Sequence, residues 1–137
     1  MPKVPDTNLT PVQFEILEVA WKADQGASVS EIWTAVSASR DVGRTTVLKL
    51  VDRLEKRGWL TRLKVNGVFH YTPTVDRERA AGHVASEFVD AFFSGSASEL
   101  VMSLLGSKKI SPSEVEQVRK LLDQNQSARR KAKESKK

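Results

Sequence analysis

Asn66-Gly67 stands between two short strand-like runs, WLTRLKV at 59–65 and VFHYTP at 68–73. Both central residues of a two-residue type I′ turn need positive φ, and Asn-Gly supplies that at the lowest steric cost, so the spacing predicts a β-hairpin. Arg62 and Lys64 fall on one side of it. Leu63, Phe69 and Tyr71 are the candidates for anchoring it to neighbouring helices.

Three helices are predicted ahead of the hairpin. Thr10 is a good N-cap, Pro11 suits the first helical position, and Gln13 completes a capping box. Val12, Ile16, Val19 and Ala20 then recur at helical spacing, widened by Phe14, Leu17 and Trp21, and Gly26 closes the unit. Ser28 or Ser30 caps a second, shorter helix whose apolar positions are Ile32, Trp33, Ala35 and Val36, with Val29 expected to pair briefly as an extended residue before it. Residues 39–43 read as a turn. The third helix runs from about Arg44 to Arg57, with Gly58 as its stop. Val47, Leu50, Val51 and Leu54 share one face of it, and Thr45, Lys49, Asp52 and Lys56 share the other.

Beyond the hairpin the pattern is helical again. Residues 76–93 carry a wide apolar stripe of Ala81, Val84, Ala85, Phe88, Val89 and Phe92, broken by Gly95. ASELVMSLL at 97–105 is a short apolar helix ended by Gly106. Ser111-Pro112-x-Glu114 is a strong start for a last one, with Val115, Val118, Leu121 and Leu122 on its apolar side. Past about Gln126 the chain is polar and basic and is expected to be disordered. The expected division is a first domain at 1–75, a helical domain at 76–126 and a basic tail at 127–137. The fold class is mainly α with a small β-hairpin wing: a winged helix-turn-helix followed by a helical dimerisation region.

Charge is concentrated. The chain of 137 residues has a net charge of +5. Residues 44–64 alone hold +5, and the tail 127–137 another +5, so the remainder is acidic by the same amount. Positive charge focused on one short segment attracts polyanions. A helix is about 10–12 Å across and fits the DNA major groove. Thr45, Thr46 and Lys49 lie in the first turns of the basic helix, where such helices meet base edges. Lys49 can donate to guanine, and Leu48, flanking that face, can touch a thymine methyl group. Arg53, Arg62 and Lys64 are better placed for phosphates, which fix position more than sequence.

Several chemistries have no residues to carry them. There is no cysteine, which removes disulfides, thiol redox sensing and Cys-ligated metal sites. His70 and His83 have no second histidine at ligand spacing, so both are expected to be structural and no metal or cofactor is expected. No nucleophile-base-orienter set, P-loop or dinucleotide fingerprint occurs, so an enzyme is not expected. MPKVPDTNLT lacks the apolar core of a secretory signal, and no apolar run approaches the ~18 residues of a membrane span, which makes a cytoplasmic location the expectation.

The runs LTPVQFEILEVAW, SVSEIWTAV and GRTTVLKLVDRLEKRGWL, with the hairpin ending FHYTP, resemble the penicillinase-repressor family (the BlaI/MecI/CopY type). So does the C-terminal part, with FxxxFFSG, ELVMSLL and SPSEV. The resemblance spans roughly residues 9–126. It implies a sequence-specific transcriptional repressor that binds a palindromic operator as a homodimer and is released by an inducing signal. It also implies a DNA-binding role for Arg44, Thr45, Thr46, Lys49 and Arg53, and for Arg62 and Lys64 in the wing. Two routes of induction come with the family. One is a membrane sensor-protease system that leads to cutting at an Asn-Phe bond; Ser103-Leu104 stands at that bond here, and both residues differ. The other is copper acting through C-terminal cysteines, which this chain lacks.

Dimerisation has a separate argument. Phe88, Phe92, Leu100, Val101, Leu104, Leu105, Val118, Leu121 and Leu122 are crowded into a helical segment of some fifty residues, too many large apolar groups to bury alone. A two-fold pair is the expected solution, and a monomeric six-helix core the alternative. For function, the alternative to DNA binding is a winged-helix module whose basic face docks an acidic protein; a third reading is the same repressor fold controlled by a small ligand. No membrane partner is expected.

Overall fold

The structure is a computed structural model that describes residues 4, 5 and 8–135, and side chains through residue 126. The element order is α1 (Pro11–Lys22), α2 (Val29–Ser37), α3 (Arg44–Lys56), β1 (Leu60–Val65), β2 (Val68–Pro73), α4 (Arg77–Phe92), α5 (Ala97–Gly106) and α6 (Pro112–Ser135). Mainly helical with one antiparallel hairpin, it is a winged helix-turn-helix followed by helices, as expected from the pattern.

Local chemistry sets the helix starts. The Thr10 hydroxyl accepts from the Gln13 amide at 3.3 Å and the Gln13 side chain accepts from the Thr10 amide at 3.0 Å. Ser28 and Glu31 repeat this reciprocal cap at α2, at 3.2 and 3.1 Å, and Ser111 and Glu114 repeat it at α6. Each box satisfies backbone donors that a helix start leaves open.

The chain forms two compact units, Met1–Phe88 and Val89–Lys137. The break falls inside α4, where residue 76 was the expectation, because Ala80 is buried in the first unit's core and the His83 ring lies 6.1 Å from that of Trp59. The core of the first unit combines Ile16, Leu17 and Ala20 of α1, Ile32 and Val36 of α2, and Val47, Val51 and Leu54 of α3. Trp59 is its largest fully buried side chain. Sequence patterning reads Trp59 as the first residue of a strand; it instead fills the space under the hairpin's base, with its amide donating to Leu54 O at 2.9 Å.

Gly26 is in the left-handed region at φ +77°, and a Cβ there would sit 2.8 Å from Tyr71 O. That close approach lets Ala27 add a one-residue bridge to the edge of β2. Ala27 N donates to Tyr71 O at 3.0 Å and Tyr71 N to Ala27 O at 2.8 Å. The extended residue before α2 is therefore Ala27, not Val29, which is the first helical residue.

In the second unit α5 buries none of its residues. α6 continues to Ser135, nine residues past the expected end of order at Gln126. The segment SARRKAKES is polar, but Ala, Arg, Lys and Glu are strong helix formers, so polarity alone does not end a helix already nucleated. The last two residues of the expected tail lie outside the described residues. Among the described residues no single helix is long and apolar enough to cross a membrane.

Candidate nucleic-acid interface

α3 is pinned on its inner side. Val47, Val51 and Leu54 are fully buried, which forces Thr45, Lys49, Asp52 and Lys56 outward, and all four are exposed. Two ties fix the helix at its ends. The Trp33 indole donates to Val42 O at 3.0 Å, setting the turn that enters α3. At the far end Thr74 donates through its hydroxyl to Gly58 O at 2.6 Å and through its amide to Trp59 O at 3.0 Å. The C-terminal end of α3 and the base of the hairpin are thereby tied together.

The start of α3 differs from those of α1, α2 and α5. Gly43 is its N-cap and no side chain accepts from its first amides, whereas Thr10, Ser28 and Ser96 cap α1, α2 and α5. Open amides at a helix N-terminus suit an anion. Arg44, Thr45 and Thr46 surround this end, all exposed, with the Arg44 guanidinium donating to the Ser30 hydroxyl at 2.6 Å. Thr46, Lys49 and Arg53 are exposed along the helix. Lys56 is paired with Asp52 at 3.1 Å.

The hairpin is in the register the turn demands. Asn66 and Gly67 have φ of 51° and 79°, and Val65 pairs with Val68, Lys64 with Phe69, and Arg62 with Tyr71. Arg62, Lys64, Phe69 and Tyr71 thus share one face, while Leu63 shares the other with His70. This corrects the anchoring residues: Tyr71 is buried, but Leu63 is 70% and Phe69 39% exposed. Leu63 and Tyr71 are on opposite faces, so a single helical layer can take only one of them. Phe69 has a different task, with the Arg62 guanidinium 4.4 Å and the Lys64 ammonium 5.3 Å from its ring centre.

The structure brings the seven predicted residues onto two neighbouring elements, α3 and β1. Patterning missed the residues that hold Arg62, namely Phe69 and Glu55, whose Oε2 lies 3.3 Å from Arg62 Nε. Strand alternation about Asn66-Gly67 contains the signal for Phe69; nothing local points to Glu55. His83 Nε2 lies 2.7 Å from Glu87 Oε1 one helical turn away, and among the described residues no three His, Asp or Glu side chains gather as a metal site.

A cationic helix locked beside a cationic hairpin defines a winged-helix DNA-binding protein. Residues 9–124 match the penicillinase repressor family, and the chain belongs to it, a DNA-binding transcriptional repressor by family. It is 24% identical over 115 residues to the methicillin resistance regulatory protein MecI of Mammaliicoccus sciuri, covering 84% of this chain and 93% of that protein. It is 23% identical over 130 residues to the penicillinase repressor of Bacillus licheniformis, covering 95% and 99%. Among solved structures, the DNA-binding domain of the repressor BlaI is 28% identical with a TM-score of 0.47, over 56% of this chain and 90% of that one. MepR, a transcription regulator of the Staphylococcus aureus multidrug efflux pump MepA, shares the fold at 20% identity and a TM-score of 0.50, over 88% and 79%.

Proposed function

We propose that this repressor acts as a homodimer that grips a palindromic operator and is released by a separate inducing signal. Thr45, Thr46 and Lys49 read base edges in the major groove; Arg44, Arg53, Arg62 and Lys64 hold phosphates. The observation that carries this reading is the split of α3 into an inner side with Val47, Val51 and Leu54 fully buried and an exposed face bearing Thr45 and Lys49, with an uncapped N-terminus beside them.

Dimerisation is supported by the second unit. Val101, Leu105, Val118, Leu121 and Leu122 are each between 46% and 63% exposed, and Leu100 and Leu104 are half-buried. On α4, Phe88 and Phe92 are 45% and 71% exposed. Apolar surface on this scale is stabilised by a second copy meeting it about a two-fold axis. Such a pair sets two reading helices about one DNA turn apart, ~34 Å, which a palindrome matches.

The test is selection of duplexes from a random pool by the full chain, with sedimentation of the free protein alongside. The expected outcome is a dimer and a two-fold-symmetric sequence bound well below the ~10⁻⁴–10⁻⁶ M of non-specific binding at physiological salt. Failure of any sequence to rise above that level favours the module that docks an acidic protein. A monomer at micromolar concentration sinks the dimer.

A further inference from the structure

We propose that Leu48 is a specificity residue that reads thymine through the methyl group at its C5 position. The inference rests on α3 being the reading helix. In the first unit the large hydrophobic side chains described as exposed are Leu48 at 49%, Leu63 at 70%, Val68 at 51% and Phe69 at 39%, all on α3 or the wing, and Phe88 at 45%, the unit's last residue, on α4. Exposed leucines scattered over a surface need no explanation. Four of the five on α3 and the wing do, and Leu48 is the one of the four on the helix.

Leu48 falls in register with the polar reading residues. Thr45, Leu48, Lys49 and Asp52 follow the three-and-four spacing of one helical stripe, and all are exposed. Leu48 takes no share in the core that Val47 and Val51 fill on either side of it. Its side chain has no donor or acceptor, so it can discriminate bases only by apolar contact. In the major groove one base edge offers an apolar group, the thymine methyl; the others present donors and acceptors. A leucine beside Thr45 and Lys49 therefore adds a requirement for thymine next to the positions those donors read.

The experiment uses the duplex recovered from the random pool, remade with deoxyuridine in place of thymine at one symmetric pair of positions at a time. This removes a methyl group and leaves base pairing intact. Wild type should lose about fourfold per half-site in affinity at one position, the worth of one buried methyl group at ~0.8 kcal/mol. Leu48→Ala should show no loss at that position and should bind the thymine duplex more weakly than wild type. Because Leu48 is half exposed, the variant should keep its urea midpoint, which separates lost reading from lost folding. Equal deoxyuridine losses in wild type and Leu48→Ala at every position overturn the role of Leu48 while leaving DNA reading intact. A pool that yields no preferred duplex overturns both.

Discussion

Arg62 of the wing and Glu55 of α3 meet through Nε and Oε2 at 3.3 Å, while the same guanidinium lies 4.4 Å from the centre of the Phe69 ring. The Glu55 side chain is 24% exposed, so the pair is only partly screened by solvent. Arg62 is thus oriented by α3. A guanidinium has five N–H donors, and Glu55 engages the one on Nε.

Removing the two partners should therefore act differently. Arg62→Ala should weaken binding to all duplexes alike and reduce the slope of log affinity against log salt by about 1. Glu55→Gln keeps a hydrogen-bond acceptor near Arg62 and should preserve sequence preference. Glu55→Ala frees the guanidinium and should weaken all duplexes alike, by less than Arg62→Ala does. Fluorescence anisotropy on selected and scrambled duplexes over a salt series reads all three. An Arg62→Ala protein with an unchanged salt slope removes the wing from the interface.

Lys49 stands on the outward stripe of α3 and is exposed. Lys49→Ala should cost ~1–3 kcal/mol against the selected duplex and relax preference for guanine at one position per half-site. The selection experiment repeated with this variant shows it directly. A sequence preference identical to wild type assigns Lys49 to phosphate instead.

Gly26 owes its identity to the wing. Its φ of +77° and the 2.8 Å approach of Tyr71 O leave no room for a Cβ. Gly26→Ala should destabilise the first unit by ~2 kcal/mol or more, since left-handed backbone costs a non-glycine residue ~1–2 kcal/mol before the clash is counted. It should also loosen the Ala27–Tyr71 bridge. Urea midpoints and hydrogen exchange at the Tyr71 amide measure the two effects, and an unchanged midpoint contradicts the close approach.

The Ser28 amide and hydroxyl hold the Glu31 carboxyl below its ordinary value of 4.5, with a smaller contribution from His70. A carboxyl whose pKa is depressed by folding stabilises above its ordinary value, and that contribution is lost as pH falls through the folded value. Wild type should accordingly exceed Glu31→Gln in stability by the most at neutral pH, and the gap should close as pH drops below 4.5. Denaturant midpoints over a pH series check the sign; a gap that widens in acid is inconsistent with the cap.

Much of the first unit can be read from the chain. The reciprocal cap at Thr10–Gln13, the α2 cap at Ser28 (one of the two candidates), the stop at Gly58 and the turn at Asn66-Gly67 stand at places the residues suggest. The seven candidate DNA-reading residues all fall on α3 or β1. Other features were not legible. Leu63 and Tyr71 are equally apolar candidates in a strand, and their burial differs because only one face of the hairpin meets the helices. Trp59 gives a strand signal yet plugs the core. Ala80, outside the apolar stripe read on α4, is fully buried in the first unit's core, which the stripe does not indicate.

What the sequence settled by itself is where α1, α3, α6 and the hairpin turn begin and which face of α3 is cationic. These depend on φ preferences, caps and charges within about four residues of each other. What tertiary structure decided is which side chains are covered, that Ala27 and not Val29 extends the wing, and that Glu55 and Phe69 hold Arg62 in place. Those outcomes require surfaces brought together from distant parts of the chain, and no local spacing encodes which of two apolar faces will find a partner.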